Sequence, residues 1–254
     1  MMGRFAEKCV LVTGSTRGIG HASAQRFLEE GARVILHGRS AKSVADAVKA
    51  FGAEYGDRVS GFAADLAQRD QCRRLCSEAG EIDILVNCAG IYEEVAIESI
   101  DDAHWHRILD VNTTAPWLLA QGLLVSLRRR NGVIVNVGSD SGLLGYVNST
   151  VYCASKGALI GLTRALAVEL APQVRVLCVC PGPVETDMLR DTMAAASDPE
   201  AVRQGWQSAT LLGRIAAPKE IAAAIAFAAS PDCGYATGNL IIVDGGATAG
   251  RRIV

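Results

Sequence analysis

The sequence predicts an α/β fold: a doubly wound domain with a seven-stranded, mainly parallel sheet between two helix layers. Three observations carry this. Short apolar runs alternate with longer amphipathic ones along the chain, the βα rhythm of a parallel sheet. The short runs are almost wholly apolar, so both of their faces are buried. A glycine-rich turn, "TGSTRGIG" at 13–20, joins the first apolar run to the first amphipathic one.

The elements follow in order. Cys9–Thr13 is the first strand, and the helix after it stops at Gly31, a C-terminal signal. Arg33–His37 is the second strand, and 40–56 is a helix with Ser40 as N-cap. Residues 58–65 form the third strand, ending at Asp65. Residues 68–80 form a helix, and Ile82–Asn87 the fourth strand. Residues 101–130 read as one long helical stretch kinked at Pro116. Gly132–Val137 is the fifth strand, 150–172 a helix ended by Pro172, 174–180 the sixth strand and Asn239–Asp244 the seventh. Pro181–Arg214 is the main irregular stretch, of the kind that forms lids and binding loops. With no repeat, low-complexity tract or linker, a single domain over 1–254 is expected, with a substrate loop around 185–212.

Composition narrows the function. A net charge of −2 argues against binding nucleic acid through its phosphates. Half the residues are hydrophobic, enough for a substantial core. No apolar run approaches the ~20 residues of a membrane helix. The N-terminus lacks a secretory h-region and a myristoylation serine or threonine, so a soluble, cytoplasmic protein is expected. Of eight cysteines, Cys72 and Cys76 stand one helical turn apart, but no second close pair completes a zinc pattern. The histidines form no metal motif, and no metal is expected.

The glycine turn points to a dinucleotide. Gly14, Gly18 and Gly20 fall between strand and helix, where glycines allow close backbone approach and the helix N-terminus offers free N–H groups to a pyrophosphate. An NAD site usually carries an acid about 20 residues further on. That count reaches Gly38, and Arg39 follows directly. A guanidinium suits a ribose 2′-phosphate, Arg17 can join it, and NADP(H) is therefore expected over NAD(H). A solvated arginine at a strand end is the plainer alternative.

These motifs, with "DL" at Asp65–Leu66, "NCAG" at Asn87–Gly90, Asn112, "GSDSG" containing Ser139, "YCASK" from Tyr152 to Lys156, "PGPVET" at Pro181–Thr186 and "VDGG" at Val243–Gly246, resemble those of compact, single-domain short-chain dehydrogenases/reductases. The resemblance covers nearly the whole chain and is most like 3-oxoacyl-carrier-protein reductases. It departs at Cys88 and Leu177, where the family often has asparagine. It implies a Rossmann fold and a homotetramer packed through the helices around 102–127 and 150–170. Cofactor contacts would come from Gly14, Thr16, Arg17, Gly18, Ile19, Gly20, Arg39, Asp65, Leu66, Asn87, Ala89, Gly90, Tyr152, Lys156, Pro181, Gly182, Val184 and Thr186.

The catalytic roles follow the same resemblance. Tyr152 exchanges a proton with the substrate oxygen, Lys156 tunes it and holds the nicotinamide ribose, Ser139 bonds the carbonyl or alkoxide, and Asn112 anchors a water of the proton relay. Physically, residues i and i+4 share a helix face, so phenol and amine can face one pocket. A nearby ammonium is expected to lower the phenol pKa from about 10.

The substrate, a small carbonyl or alcohol, is less defined. Tyr92, Glu93, Glu94, Asp140, Leu143, Tyr146, Met188, Leu189, Met193 and Trp206 are candidates for its walls. Arg128–Arg130 reads either as a docking patch for an acidic acyl carrier protein or as a solvated helix end. Rival readings are an NAD-linked sugar, polyol or other secondary-alcohol dehydrogenase, and a non-enzymatic NADP-binding sensor or scaffold.

Overall fold

The computed structural model describes residues 3–250; the outermost residues of the expected 1–254 domain lie outside the described residues. The strands are β1 (Cys9–Val12), β2 (Arg33–Gly38), β3 (Val59–Ala63), β4 (Ile84–Asn87), β5 (Val133–Val137), β6 (Arg175–Pro181) and β7 (Leu240–Val243). The helices are α1 (Gly18–Glu29), α2 (Ala41–Tyr55), α3 (Arg69–Ala79), α4 (Asp102–Leu109), α5 (Ala115–Gly122), α6 (Leu124–Arg129), α7 (Thr150–Leu170), α8 (Asp187–Ala195), α9 (Pro199–Ser208) and α10 (Pro218–Ala229).

The strands form one sheet in the order β3-β2-β1-β4-β5-β6-β7. Every neighbouring pair is parallel, so the sheet is wholly rather than mainly parallel. Successive side chains of a strand point to opposite faces, and here both faces are apolar. Val10 and Val12 join Phe27, Ile221 and Ile225 on one side. Leu11 joins Leu75, Leu85, Leu119 and Leu170 on the other. Strand order reverses between β1 and β4, which opens a crevice at the carboxyl ends of the strands.

Several expectations need correction. The stretch 101–130 is not one helix kinked at Pro116. A π-helical turn, Asp110–Thr114, separates α4 from α5, and Pro116 sits in the first turn of α5, where its missing N–H costs nothing. The segment 181–214 is not irregular, for it contains α8 and α9. Their start signals are standard: Thr186 accepts the Leu189 N–H, and Asp198 caps Ala201 ahead of Pro199. Helix α10 is absent from the expected elements, since its alanine-rich sequence has no polar face to mark a period. Helix α7 is long and apolar enough, by length and composition, to cross a membrane, contrary to the reading of the apolar runs. Here it packs on the sheet through residues such as Ala167 and Leu170.

Candidate active site

Four segments meet at the crevice. Strand β5 runs into Ser139, α7 carries Tyr152 and Lys156, the π-helical turn carries Asn112, and the glycine turn after β1 leads into α1. The end of β5, α7 and the start of α1 border a cavity of about 470 Å³ whose wall includes Ile19, Ser139, Tyr152 and Lys156; Asn112 stands behind that wall.

Lys156 is buried, and its ammonium donates to the Val137 carbonyl at 2.9 Å. It lies 5.6 Å from the centre of the Tyr152 ring. Burial pushes the lysine pKa down and pushes the Tyr152 phenol well up, although the Ser139 hydroxyl beside the phenol partly opposes that rise. The direction is opposite to the expected lowering: the ammonium is bonded to a backbone carbonyl, and desolvation is the largest effect on the phenol. Tyr152 is held here as an acid. Its ring meets Tyr92 edge-on, with centroids 4.8 Å apart.

Ser139 has an extended backbone and starts a short 3-10 turn. Its Oγ accepts from the Ser141 N–H at 3.1 Å and donates to Asp140 Oδ1 at 3.0 Å. Asn112 is engaged by the chain itself. Its Oδ1 accepts from Ile91 N–H at 2.9 Å, and its Nδ2 donates to Ile91 O and Ser155 Oγ. The π-helical turn thus aims a brace between α7 and the loop after β4, a common use of such turns at working sites.

The dinucleotide cradle is well formed. Gly14 has φ +65, and a Cβ there would lie 2.8 Å from the Ala89 backbone, so the turn closes against "NCAG". No side chain caps α1, and its first turn has no acid, which leaves its N–H groups open to a phosphate. A Cβ at Gly38 would sit 2.7 Å from the Thr16 methyl. An acid at that position would not fit, and the exposed Arg39 follows. Arg17 is also exposed, its Nε 4.0 Å from Asp187. These residues fit a dinucleotide.

The remaining expected contacts divide. Ile19, Gly90, Pro181, Gly182, Val184 and Thr186 line the cavity. Asp65 is half-buried, its Oδ1 accepting from Ala67 N–H at 3.1 Å, and Leu66 is buried beside it. Asn87 is buried and donates to Asn136 Oδ1, so it supports the wall from behind. Cys88 lines the cavity, but burial raises its thiol to about 12, the mark of an inert group. Of the substrate-wall candidates, Tyr92, Glu94, Asp140, Tyr146, Met188, Leu189 and Trp206 line the cavity. Glu93, Leu143 and Met193 do not: Glu93 is turned to Arg107, Leu143 is partly exposed elsewhere, and Met193 is buried under α8.

One residue escapes the sequence reading. His37, on β2, is 3% exposed. Its Nδ1 accepts the Gly14 N–H at 3.1 Å, and its Nε2–H donates to Ala64 O at 3.0 Å. It ties the glycine turn to the end of β3, beside Asp65. In sequence it looks like any strand residue, and only the parallel register brings its partners together.

The whole chain can now be compared with known proteins. A family model described as "Enoyl-(Acyl carrier protein) reductase" matches residues 14–248. A "Dehydrogenase/reductase SDR family member 6" of Aquarana catesbeiana is 34% identical over 248 residues, 96% of this chain and 99% of that one. The chain belongs to the short-chain dehydrogenase/reductase family. Within it, a 3-oxoacyl-(acyl-carrier-protein) reductase of Haemophilus influenzae is 37% identical over 94% of this chain and 97% of its own. The solved aldohexose dehydrogenase of Thermoplasma acidophilum superposes with a TM-score of 0.88 at 32% identity, over 99% of this chain and 97% of that one. As a short-chain dehydrogenase/reductase, the protein is an oxidoreductase acting on CH–OH groups.

His37 yields a pH prediction. Burial lowers its pKa to about 4 from 6.5, so the unfolded chain takes up a proton below about pH 6.5 that the fold refuses. Its contribution to stability is complete above that pH and is lost as pH falls toward 4. At about 1.4 kcal/mol per pH unit the loss reaches roughly 3 kcal/mol. Thermal unfolding of wild type and His37→Gln between pH 7.5 and 4.5 checks this. The wild-type midpoint falls more steeply; parallel curves would contradict it.

Proposed function

We propose that the protein is an NADP(H)-dependent oxidoreductase that interconverts a carbonyl and a secondary alcohol, with Tyr152 as proton donor. The observation that carries this is the placement of a half-buried Tyr152 beside Ser139 and Lys156 on the wall of a cavity that Ile19 of α1 and Thr186 also line.

The bound nicotinamide supplies the hydride. The chain's own residues supply the rest. Ser139 and Tyr152 hold the carbonyl oxygen. As hydride reaches the carbon, the C=O π pair moves to oxygen, which takes the Tyr152 proton. Lys156 is fixed by Val137 near the ring and stabilises the phenolate left behind. Arg39 and Arg17 are read as the ligands of a 2′-phosphate. Thr186, which caps α8, is read as a nicotinamide contact.

For the substrate, the relatives point to a 3-oxoacyl group on a carrier protein and to an aldohexose. A small molecule is favoured over a carrier-bound one. Arg129 and Arg130 both pair with Glu81, so part of the positive charge at this helix end is already engaged within the chain, which supports a helix-end role over a docking patch. The sugar or polyol reading keeps its place because the cavity wall is acidic, with Glu94 and Asp140 on it. A homotetramer is proposed from the exposed apolar side chains of Trp105, Trp117 and Val168 on α4, α5 and α7 and of Phe227 and Ile242 on α10 and β7. Eight free cysteines fit a reducing, cytoplasmic setting.

Three outcomes check the proposal. Tyr152→Phe lowers kcat for carbonyl reduction by about 10²-fold or more while NADPH still binds by fluorescence titration; near-wild-type turnover would overturn the mechanism. Arg39→Ala raises the NADPH Kd about tenfold and leaves NADH nearly unchanged; equal losses for both would remove the NADP assignment. Light scattering on the purified chain gives the mass of four copies, and a monomer would contradict the assembly.

A further inference from the structure

The cavity offers hydrogen-bond acceptors and few free donors. The Ser139 hydroxyl donates to Asp140 Oδ1 at 3.0 Å, and Tyr146 donates to Asp140 Oδ2 at 2.9 Å. Tyr92 donates to Glu94 at 2.7 Å, and Ser149 to the Val147 carbonyl. Once Ser139 turns its one proton to a carbonyl oxygen, the other hydroxyls still face the cavity with lone pairs.

Asp140 is the unusual member. It is 6% exposed, directly follows Ser139, and has no cationic partner among the described residues. Lys156, the only cation on the cavity wall, is bound to Val137. A carboxylate kept out of water without an ion pair is costly. Three hydroxyls reach it, from Ser139, Ser141 and Tyr146, and a carboxylate has room for about four donors. The packing of the 3-10 turn does not require a charge there, since its backbone bonds run from Leu143 and Leu144 to the Asp140 carbonyl, not to the side chain.

We infer that Asp140 is a specificity-determining residue that reads a hydroxyl on the carbon next to the reacting one. The substrate class is then an uncharged α-hydroxy ketone or, in the reverse direction, a vicinal diol. Carboxylated and phosphorylated carbonyls are excluded, because the wall sets two carboxylates and no free cation against them. A hydroxyl on the adjacent carbon lies about one hydrogen-bond length from the reacting oxygen; when that oxygen takes the Ser139 proton, Asp140 Oδ1, 3.0 Å from Ser139 Oγ, is freed to accept from the neighbouring hydroxyl. The inference rests on the carbonyl–alcohol reading of the same site and adds the group beside the reacting carbon.

The test uses a matched series with NADPH: 1-hydroxy-2-butanone, 2-butanone, 2-oxobutanoate and a short 3-oxoacyl thioester. Wild type is expected to favour the hydroxy ketone over 2-butanone by about tenfold in kcat/KM, and over the oxo acid by more. In Asp140→Asn that ratio falls several-fold and the oxo acid gains on the ketone. Ratios within one enzyme cancel any general loss of activity. An unchanged ratio in Asp140→Asn, or a wild type that prefers the oxo acid or the thioester, overturns the inference. Thermal shift of the NADP⁺-loaded protein with 1,2-butanediol, 2-butanol and 2-hydroxybutanoate separates the two levels. If no carbonyl turns over, the proposed reaction fails, and selective stabilisation by the diol still supports the role of Asp140. Equal or greater stabilisation by the hydroxy acid removes it.

Discussion

The 2.9 Å hydrogen bond from the Lys156 ammonium to the Val137 carbonyl is the contact on which the site depends. It joins the second turn of α7 to the last residue of β5, two residues before Ser139. A charge buried to 4% exposure needs such a partner. With the bond made, the helix is fixed in rotation, and Tyr152, one turn earlier, faces the same cavity as Ser139. The bond also explains the electrostatics. The ammonium is directed at a backbone oxygen and stands 5.6 Å from the ring centre, and burial, the larger effect, pushes the Tyr152 pKa up.

The sheet supplies the frame for this contact. Seven parallel strands end at one edge, and reversal of their order between β1 and β4 leaves room there for a dinucleotide. Both faces are sealed by helices, so turns and catalytic side chains can be displayed only at that edge. His37 shows how closely the two halves are coupled. It sits in β2, bonds the glycine turn after β1, and reaches the end of β3. The phosphate cradle is therefore braced by the neighbouring strands as well as by its own glycines.

Much of this was legible in the sequence, because the relevant signals are local. Apolar runs gave the strands, Gly14 and Gly18 the cradle, and the i, i+4 spacing of Tyr152 and Lys156 their shared face. Less legible were features set by tertiary contact. A π-helical turn at 110–114 has no periodic signature, so the break was assigned to Pro116. Helix α10 is apolar from Ile221 to Ala229, and even its exposed side carries Phe227, which erases the amphipathic pattern. The direction of the Tyr152 pKa depended on where one ammonium points, a fact of packing rather than of spacing. Asp140 looked like one loop acid among several until its lack of a cationic partner was visible.

The protonation state of Tyr152 is the central claim, and an ultraviolet difference titration measures it most directly. Wild type minus Tyr152→Phe, without cofactor, isolates this one phenol from Tyr92 and Tyr146. The account predicts no phenolate from Tyr152 at or below the ordinary tyrosine pKa of about 10. A phenolate signal that titrates near neutral pH in the cofactor-free protein would contradict it, and would mean that Lys156 acts on the phenol rather than on Val137.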